Sequence, residues 1–383
     1  MAKIKHLLFV CGETSGDLNA ASLVKAIKEI QPQIRISGVG GAHLRKTGAE
    51  IFQDIRDLSV MGLFDVLKKL PKFFSLKKLI LQKIDSDHPD AVILVDFSGF
   101  NLRLAKAINK KIPVIYYICP QVWASRKGRV KTIKEFISKP IVIFKFEEEF
   151  YKKLDIKADF VGHPLLDIIR PTLSKEAFLT KHNLSAAKTT IGLLPGSRKS
   201  EIKNILPVML ETAGMIQKEI PETQFIIAKP ENLEKVIYED IIKNHAVKPA
   251  IIEGLSYDCI NASDFCLVCS GTATLETAIL EKPFALVYKM NLLNYLLYRP
   301  QVKIPYIGMV NIVAQKMIIP EFIQSRANAE KISSEVLDIL RNPSRISQMK
   351  NELSRIKSLL GEKGAASRAG KIILNFLGDK NGL

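Results

Sequence analysis

Short apolar runs alternate with amphipathic segments along the first half of the chain. The apolar runs predict buried strands, and the amphipathic segments have the apolar spacing of helices. This alternation is typical of a doubly wound parallel sheet. The predicted strands are His6–Val10, Ile34–Val39, Ala91–Val95, Val114–Ile118 and Pro140–Phe144, and the predicted helices are Asp17–Ile30, Leu76–Ile84, Phe100–Asn109 and Glu147–Leu154.

The pattern begins again after a polar stretch at 170–188. A segment rich in Tyr, Leu and Asn (288–313) then interrupts the alternation, and a basic helical tail closes the chain. We expect two α/β domains, 1–168 and 169–355, facing a cleft, with a tail at 356–383 that packs back on the first domain. The second set of predicted strands is Ile191–Leu194, Gln224–Ala228, Ala250–Glu253, Phe265–Cys269 and Phe284–Val287.

Composition agrees with two domains and adds a strong positive charge. The chain has 383 residues, 47% of them hydrophobic, and a formal charge of +17. Such a charge favours an anionic partner, which could be nucleic acid, an anionic membrane or a phosphorylated substrate. The five cysteines lie mostly in apolar contexts, which fits a reducing compartment. The N-terminal apolar run is too short for a signal peptide, and no run is long enough to cross a bilayer.

Two strand–loop–helix segments in the second half suggest a nucleotide site. Ser270 and Gly271 follow the strand Phe265–Cys269, and the hydroxyl of Ser270 or Thr272 can cap the next helix. The free N–H groups of that helix favour an anion, whereas Glu276, further along, suits a sugar hydroxyl. An ordinary strand–turn–helix with a surface glutamate is the alternative.

The second such segment follows the strand Ile191–Leu194. Its glycine-containing turn leads directly to Arg198, whose forked guanidinium suits a phosphate, and Ser200 and Glu201 then open a helix. Two loops of this kind at strand ends indicate one nucleotide diphosphate held from two sides.

Three polar stretches of the first domain could bind a sugar phosphate. The turn Gly12–Asp17 offers acceptors for hydroxyls, with a helix cap by Asp17 as the alternative. Asp96 ends a strand and is a candidate general base, or only a helix cap. The stretch Cys119–Arg129 holds the single tryptophan beside three basic residues, and would otherwise be a solvated basic surface.

A fourth stretch, Val60–Lys83, mixes aromatic and aliphatic residues with lysines. An apolar face ringed by lysines suits an anionic membrane surface. The alternative is an amphipathic helix that packs on its own sheet.

Three other interpretations are disfavoured. Gly38–Gly41 follows the second strand and lacks a third glycine in register for NAD. Cys266 and Cys269 lie on opposite faces of one predicted strand, which disfavours a shared zinc ion. Nucleic-acid binding agrees with the charge, but no recognition module is present in the sequence.

The motifs together resemble the lipid-A-disaccharide synthases, a GT-B glycosyltransferase family (family 19). They occur in the family's order and span nearly the whole chain. One departure is Gly99, which stands where the family often has a second aspartate after Asp96. The matching segments are Gly12–Asp17, Gly38–Gly41, Val60–Gly62, Pro120–Ala124, Gly162–Pro164, Leu194–Arg198 and Ser270–Glu276.

The resemblance implies an inverting hexosyltransferase of GT-B fold. It would move diacylglucosamine from UDP to the 6-hydroxyl of diacylglucosamine 1-phosphate, forming a β-1,6-linked disaccharide and UDP. The resemblance implies that the enzyme uses no cofactor and no metal and binds no nucleic acid. It also implies that the enzyme acts at the cytoplasmic face of the inner membrane of a Gram-negative bacterium. The oligomeric state is open, and a homodimer is allowed. Another GT-B UDP-sugar enzyme, such as a UDP-N-acetylglucosamine 2-epimerase or a related hexosaminyltransferase, is the alternative.

The expected site residues follow from these motifs and the resemblance. Asp96 is the expected base, with Glu13 and His163 as fallback candidates. The expected UDP ligands are Gly196, Ser197, Arg198, Ser270, Gly271, Thr272, Ala273, Thr274 and Glu276; the expected acceptor ligands are Ser15, Gly16, Asp17, Asn101, Gln121, Trp123, Arg126, Arg129, Asn311 and Gln315; and the expected membrane contacts are Phe64, Leu67, Lys68, Lys69, Phe73 and Phe74.

Overall fold

The computed structural model describes residues 5–58, 63–124, 128–290 and 305–379. The chain divides into two compact units, the first formed by residues 1–164 with 360–383 and the second by residues 165–359. Each unit is built on one parallel sheet with interleaved helices, so the predicted α/β fold class is confirmed.

The first unit has a seven-stranded sheet. Its strands are β1 (His6–Val10), β2 (Arg35–Gly40), β3 (Glu50–Asp54), β4 (Ala91–Val95), β5 (Val114–Tyr117), β6 (Lys139–Val142) and β7 (Asp159–Phe160). The helices between them are α1 (Thr14–Ile30), α2 (Ala42–Arg45), α3 (Leu63–Asp87), α4 (Ser98–Ile108), α5 (Arg129–Phe136) and α6 (Lys145–Lys152).

The second unit has a six-stranded sheet. Its strands are β8 (Thr189–Leu194), β9 (Thr223–Lys229), β10 (Ala250–Glu253), β11 (Phe265–Cys269), β12 (Phe284–Tyr288) and β13 (Glu321–Ile323). Its helices are α7 (Leu165–Ile168), α8 (Lys175–Lys181), α9 (Lys199–Glu219), α10 (Lys235–Ile242), α11 (Ser256–Ala262), α12 (Thr272–Ile279), α13 (Met309–Ala314), α14 (Ala329–Arg341) and α15 (Pro343–Leu359). The last helix, α16 (Ala365–Asp379), belongs to the first unit and packs against α1.

Strand order reverses once in each sheet. The first sheet runs β3-β2-β1-β4-β5-β6-β7, and the second runs β10-β9-β8-β11-β12-β13. The reversals therefore lie between β1 and β4 and between β8 and β11. In open α/β sheets, ligands bind beyond the carboxyl ends of the strands at such a point.

The glycine run at 38–41 has a packing role in this fold. A Cβ at Gly38 would lie 2.0 Å from the carbonyl oxygen of Phe9, because β2 approaches β1 closely there. A Cβ at Gly41 would lie 2.7 Å from a carboxylate oxygen of Asp17. The resemblance of this run to a dinucleotide fingerprint thus has a structural explanation.

Several predicted boundaries change. Helix α1 begins at Thr14, three residues before the predicted start, and α3 is much longer than Leu76–Ile84 and contains Pro71. The short strands β3, β7 and β13 were not predicted, since none forms a long apolar run. Part of the 288–313 segment, residues 291–304, lies outside the described residues. Among the described helices, none is long and apolar enough to span a membrane.

Candidate active site

The two predicted nucleotide loops lie side by side in the second unit. Strands β8 and β11 are parallel neighbours, with Leu194 opposite Val268. The loops after Leu194 and after Cys269 therefore leave adjacent strand ends, at the point where strand order reverses. This is the expected position for a ligand of an α/β sheet.

The loop after β8 holds a carboxylate on its backbone N–H groups. Oε2 of Glu201 accepts hydrogen bonds from the N–H of Ser197 at 2.8 Å and of Arg198 at 3.2 Å. Gly196 has φ +121°, and a Cβ there would lie 2.5 Å from the same oxygen. The loop is thus shaped for an oxyanion, and Glu201 supplies one.

The Arg198 side chain is only partly engaged by this carboxylate. Its Nη1 lies 3.3 Å from Oε1 of Glu201, and the side chain is 72% exposed. A guanidinium so exposed remains accessible to a ligand above the strand ends.

The loop after β11 differs from the sequence-based expectation at the helix cap. Gly271 is the N-cap of α12, and no side-chain hydroxyl caps the helix, so the predicted cap by Ser270 or Thr272 is wrong. The hydroxyl of Thr274 instead donates to the carbonyl oxygen of Gly271 at 2.8 Å. Without a side-chain cap, N–H groups of the first turn are left for solvent or a ligand. Among them are those of Thr272 and Ala273, two of the expected UDP ligands.

Glu276 is a partly buried carboxyl group in α12. Burial raises its pKa to about 7. Tyr257, at the start of α11, has a pKa raised to about 12, first by burial and then by the charge of Glu276. The two groups are therefore close enough to interact electrostatically, and Tyr257 is a neighbour of Glu276 that no sequence motif indicated.

Asp96 lies in a strained turn at the end of β4. Asp96 and Phe97 both have φ +49°, a left-handed conformation that costs on the order of 1–3 kcal/mol for each non-glycine residue. The Asp96 carbonyl oxygen accepts hydrogen bonds from Tyr116 Oη at 2.6 Å and from Asn101 Nδ2 at 2.8 Å. Strain that is held in place in this way is typical of functional sites.

Glu13 is close enough to Asp96 to affect its titration. Burial raises the pKa of Asp96, and the negative charge of Glu13 raises it further. A Cβ at Gly12 would lie 2.3 Å from the ring of Phe97, so this turn and the Asp96 turn are in contact. Both turns lie at the point where strand order reverses between β1 and β4.

Two expected acceptor ligands have structural roles instead. The carboxylate of Asp17 accepts from the N–H groups of Gly41 (2.6 Å), His43 (2.9 Å) and Leu44 (3.2 Å), and so caps α2. Asn101 is fully buried and holds the Asp96 turn. Neither side chain is available to a substrate, because its polar atoms are used or enclosed.

Their neighbours in the first turn of α1 are placed differently. Gly16 is buried, and a Cβ there would lie 3.9 Å from Cβ of Asp96, in ordinary van der Waals contact, so Gly16 lies directly beside the Asp96 turn. Ser15 is exposed.

The loop after β5 is held by a buried glutamate that sequence analysis missed. Oε1 of Glu147 accepts from Trp123 Nε1 at 2.9 Å, and Oε2 accepts from the N–H of Phe144 at 3.3 Å. Burial raises the pKa of Glu147 to about 7. The indole of Trp123 also packs edge-on against Phe146, with ring centroids 4.9 Å apart. Trp123 is therefore anchored to α6.

The other expected ligands of this region are at its edge. Nη1 of Arg129 donates to Ser98 Oγ at 3.2 Å, which places a cation beside the Asp96 turn. Gln121 is exposed, and Arg126 lies outside the described residues.

The remaining candidates are less suited to substrate contact. The amide of Asn311 is fully used: it donates to Ile319 O and Glu321 Oε1 and accepts from two backbone N–H groups. Gln315 is exposed just after α13. His163 is buried against Phe144, and burial lowers its pKa to about 4.

The expected membrane surface is divided by the structure. Phe73 is half-buried, with its ring 6.0 Å from those of Phe97 and Phe100. Phe74 is 62% exposed, with Lys77 Nζ 5.3 Å from its ring. The two phenylalanines therefore differ: Phe73 has aromatic packing partners within its own unit, whereas the ring of Phe74 is open to solvent. Phe64, Leu67, Lys68 and Lys69 belong to α3, but their side chains lie outside the described part of the structure.

The fold is that of the GT-B class. A putative UDP-N-acetylglucosamine 2-epimerase from Listeria monocytogenes aligns with a TM-score of 0.66 and 15% identity over 99% of this chain and 98% of its own. A kitacinnamycin glycotransferase aligns with a TM-score of 0.62 and 14% identity over 97% and 99%. At these identities the likeness concerns the fold alone.

The sequence comparisons define the family. The lipid-A-disaccharide synthetase family profile matches residues 7–376. The lipid-A-disaccharide synthase of Syntrophus aciditrophicus is 42% identical over 97% of this chain and 98% of its own. Lipid-A-disaccharide synthase 1 of Legionella pneumophila strain Lens is 37% identical over the full length of both. The chain belongs to the lipid-A-disaccharide synthetase family, which confirms the resemblance and the glycosyltransferase class.

Proposed function

We propose that the chain transfers 2,3-diacylglucosamine from UDP to the 6-hydroxyl of 2,3-diacylglucosamine 1-phosphate, with inversion at the anomeric carbon. The observation that carries this proposal is the family match over residues 7–376, which includes both units. The products are the β-1,6-linked lipid A disaccharide 1-phosphate and UDP.

The second unit is proposed to bind the donor. The oxyanion-shaped loop at 196–198 and the uncapped start of α12 both lie at the ends of adjacent strands. The N–H groups at the start of α12 and the exposed guanidinium of Arg198 favour a diphosphate. The N–H groups of Ser197 and Arg198 themselves are held by Glu201. Glu276 then accepts hydrogen bonds from the ribose hydroxyls.

The first unit is proposed to activate the acceptor. Asp96 takes the proton of the acceptor hydroxyl as its oxygen attacks the anomeric carbon, while UDP leaves as an anion and needs no acid. Its raised pKa makes Asp96 a stronger base than an ordinary aspartate. Hydrogen bonds from Asn101 and Tyr116 to the backbone carbonyl of Asp96 hold the strained turn that carries the carboxylate.

We further propose peripheral association with the cytoplasmic face of the inner membrane. What supports this is the exposed ring of Phe74 beside Lys77 on α3, together with the net charge of +17. An apolar side chain flanked by lysines is suited to the headgroup region of an anionic membrane.

The 2-epimerase alternative is supported only by fold. The epimerases that align with this chain are 14–16% identical to it, whereas the synthases are 34–42% identical. Fold likeness without sequence likeness does not transfer an activity.

A coupled assay for UDP release tests the proposal. With both acylated substrates present, we expect UDP and a disaccharide phosphate in equal amounts. Omitting the acceptor should abolish UDP release. Supplying UDP-N-acetylglucosamine alone tests the alternative, since an epimerase would change the configuration at C2. No disaccharide from the two acylated sugars would refute the proposed function.

A further inference from the structure

A cavity of about 500 Å³ opens in the first unit beside the turn that carries Glu13. Three segments line it: the turn after β1, helix α2 with the residue after it, and the end of β3 with the residues that follow. These segments contribute Glu13, Arg45, Lys46, Asp54 and Arg56. None of these cavity residues except Glu13 was indicated by a sequence motif.

Asp54 holds two guanidinium groups together at one side of this cavity. Its Oδ1 accepts from Arg56 Nε at 3.0 Å, and its Oδ2 accepts from Arg56 Nη2 at 3.1 Å and Arg45 Nη2 at 3.4 Å. These bonds lower the pKa of Asp54 to about 2, so it stays ionised. We call Arg45, Asp54 and Arg56 the arginine cluster.

The arginine cluster is accessible from solvent. The Asp54 side chain is 16% exposed, whereas the side chains of Arg45 and Arg56 are 54% and 86% exposed. The carboxylate is therefore largely covered while the two cations can still meet a ligand. Paired guanidiniums are well suited to phosphate oxygens, which they bind in forked geometry.

Charge is distributed unevenly around the cavity. Arg45, Lys46 and Arg56 line the cavity with Asp17 and Asp54, whose carboxylates are held by backbone N–H groups and by the two arginines, respectively. Glu13 lines the cavity at the turn in contact with the Asp96 turn. A sugar that carries a phosphate on one carbon and a reacting hydroxyl across the ring matches this distribution.

We propose that the cavity binds the acceptor sugar, with its anomeric phosphate on the arginine cluster and its reacting hydroxyl toward Glu13 and Asp96. This inference rests on the proposed function, because it identifies how the first unit selects a phosphorylated acceptor. It also gives Asp54 a positioning role: Asp54 holds the two arginines and does not itself contact the substrate.

The test compares two acceptors that differ only in the phosphate. The kcat/KM for UDP release is measured with diacylglucosamine 1-phosphate and with diacylglucosamine, for the wild type, Arg56→Ala and Arg45→Ala. Each variant should lose about 10- to 100-fold with the phosphorylated acceptor, the usual effect of a charged hydrogen bond. With the unphosphorylated acceptor, each should change by less than about twofold.

The controls separate this effect from misfolding. Both arginines are exposed, so replacing either by alanine should leave the protein folded. The UDP affinity, which is proposed to depend on the second unit, should therefore be unchanged. Arg35→Ala is the matched variant, because Arg35 is also an exposed arginine paired with a carboxylate, Glu50 at 2.7 Å, and does not line the cavity. It should keep full activity on both acceptors.

Two results would overturn the proposal while the proposed function stands. If wild type turns over the phosphorylated acceptor but the variants lose equally on both acceptors, the cluster does not bind the phosphate. If the variants lose nothing, the phosphate binds elsewhere. If wild type itself makes no disaccharide, the proposed function fails and this inference fails with it.

Discussion

Replacing Asp96 by Asn tests the proposed base with little structural change. Asp and Asn are among the few residues that tolerate a left-handed conformation, so the φ of +49° at this position can be retained. The hydrogen bonds from Asn101 and Tyr116 reach the backbone carbonyl of Asp96, and the substitution leaves that group intact. The main change is the loss of a negative charge.

The expected loss of turnover is large and specific. Removing a positioned general base lowers the rate by roughly 10²–10⁴-fold, which corresponds to about 3–5 kcal/mol in the barrier. Because the fold and the second unit are unchanged, KM for both sugars, the UDP affinity and the free energy of unfolding should change little. Steady-state UDP release and urea unfolding measure these quantities.

Asp85→Asn is the matched control. This aspartate is 62% exposed, and its nearest cation, Lys111 Nζ, is 3.5 Å away, so the change should leave kcat within about twofold of wild type. Near-normal turnover in Asp96→Asn would refute the assignment. If Asp96→Asn kept near-normal turnover and Glu13→Gln abolished it, the base would be in the first glycine-rich turn.

The pH profile gives an independent check on the same base. The base must be ionised, so kcat/KM should fall as the pH drops through the pKa of Asp96, which burial and Glu13 raise above its ordinary value of 3.8. Glu13→Gln removes one of these causes and should shift the acidic limb to lower pH. An unchanged limb would mean that a different group titrates.

Three further predictions concern UDP and the membrane. Arg198→Ala should weaken UDP binding by about 1.5–3 kcal/mol in calorimetry, and normal affinity would remove Arg198 from the site. UDP binding near pH 7 should release protons, because ribose hydroxyls favour the ionised form of Glu276, whose pKa is about 7 without ligand. Calorimetry in buffers of different ionisation enthalpy measures this proton release. Glu276→Gln should abolish the release, and it should weaken UDP binding less than Arg198→Ala does. Proton release that persists in Glu276→Gln would come from another group. Phe74→Ser should reduce binding to anionic vesicles, and unchanged vesicle binding would mean that α3 does not contact the membrane. Phe73→Ser should also lower stability, since the Phe73 ring packs against Phe97 and Phe100.

Local sequence pattern was sufficient for much of the fold. The strands β1, β4 and β11 lie where continuous apolar runs predicted them, because a strand buried on both faces must be apolar throughout. The loops after β8 and β11 were also found from sequence, since a glycine followed by polar residues at a strand end is a local signal. Edge strands such as β3 lack that signal and were missed.

Only the tertiary structure decided which polar side chains remain available. Asp17 looked like an acceptor ligand, yet its carboxylate is used by three N–H groups 24–27 residues away in sequence. Glu147 was not expected at the site, yet from helix α6 it holds Trp123 in the loop after β5. The arginine cluster forms because α2 and the end of β3 meet at Asp54.

The physical reason is the range of the interactions. Apolar periodicity reports which face of a segment is buried, and it can be read within one strand or helix. A hydrogen bond or an ion pair requires two particular atoms within about 3–4 Å, and its partners here come from segments far apart in the chain. The sequence therefore determined the central strands, the two loops after β8 and β11 and the family of this protein. The fold determined whether each polar side chain could serve a substrate or was already used by the protein itself.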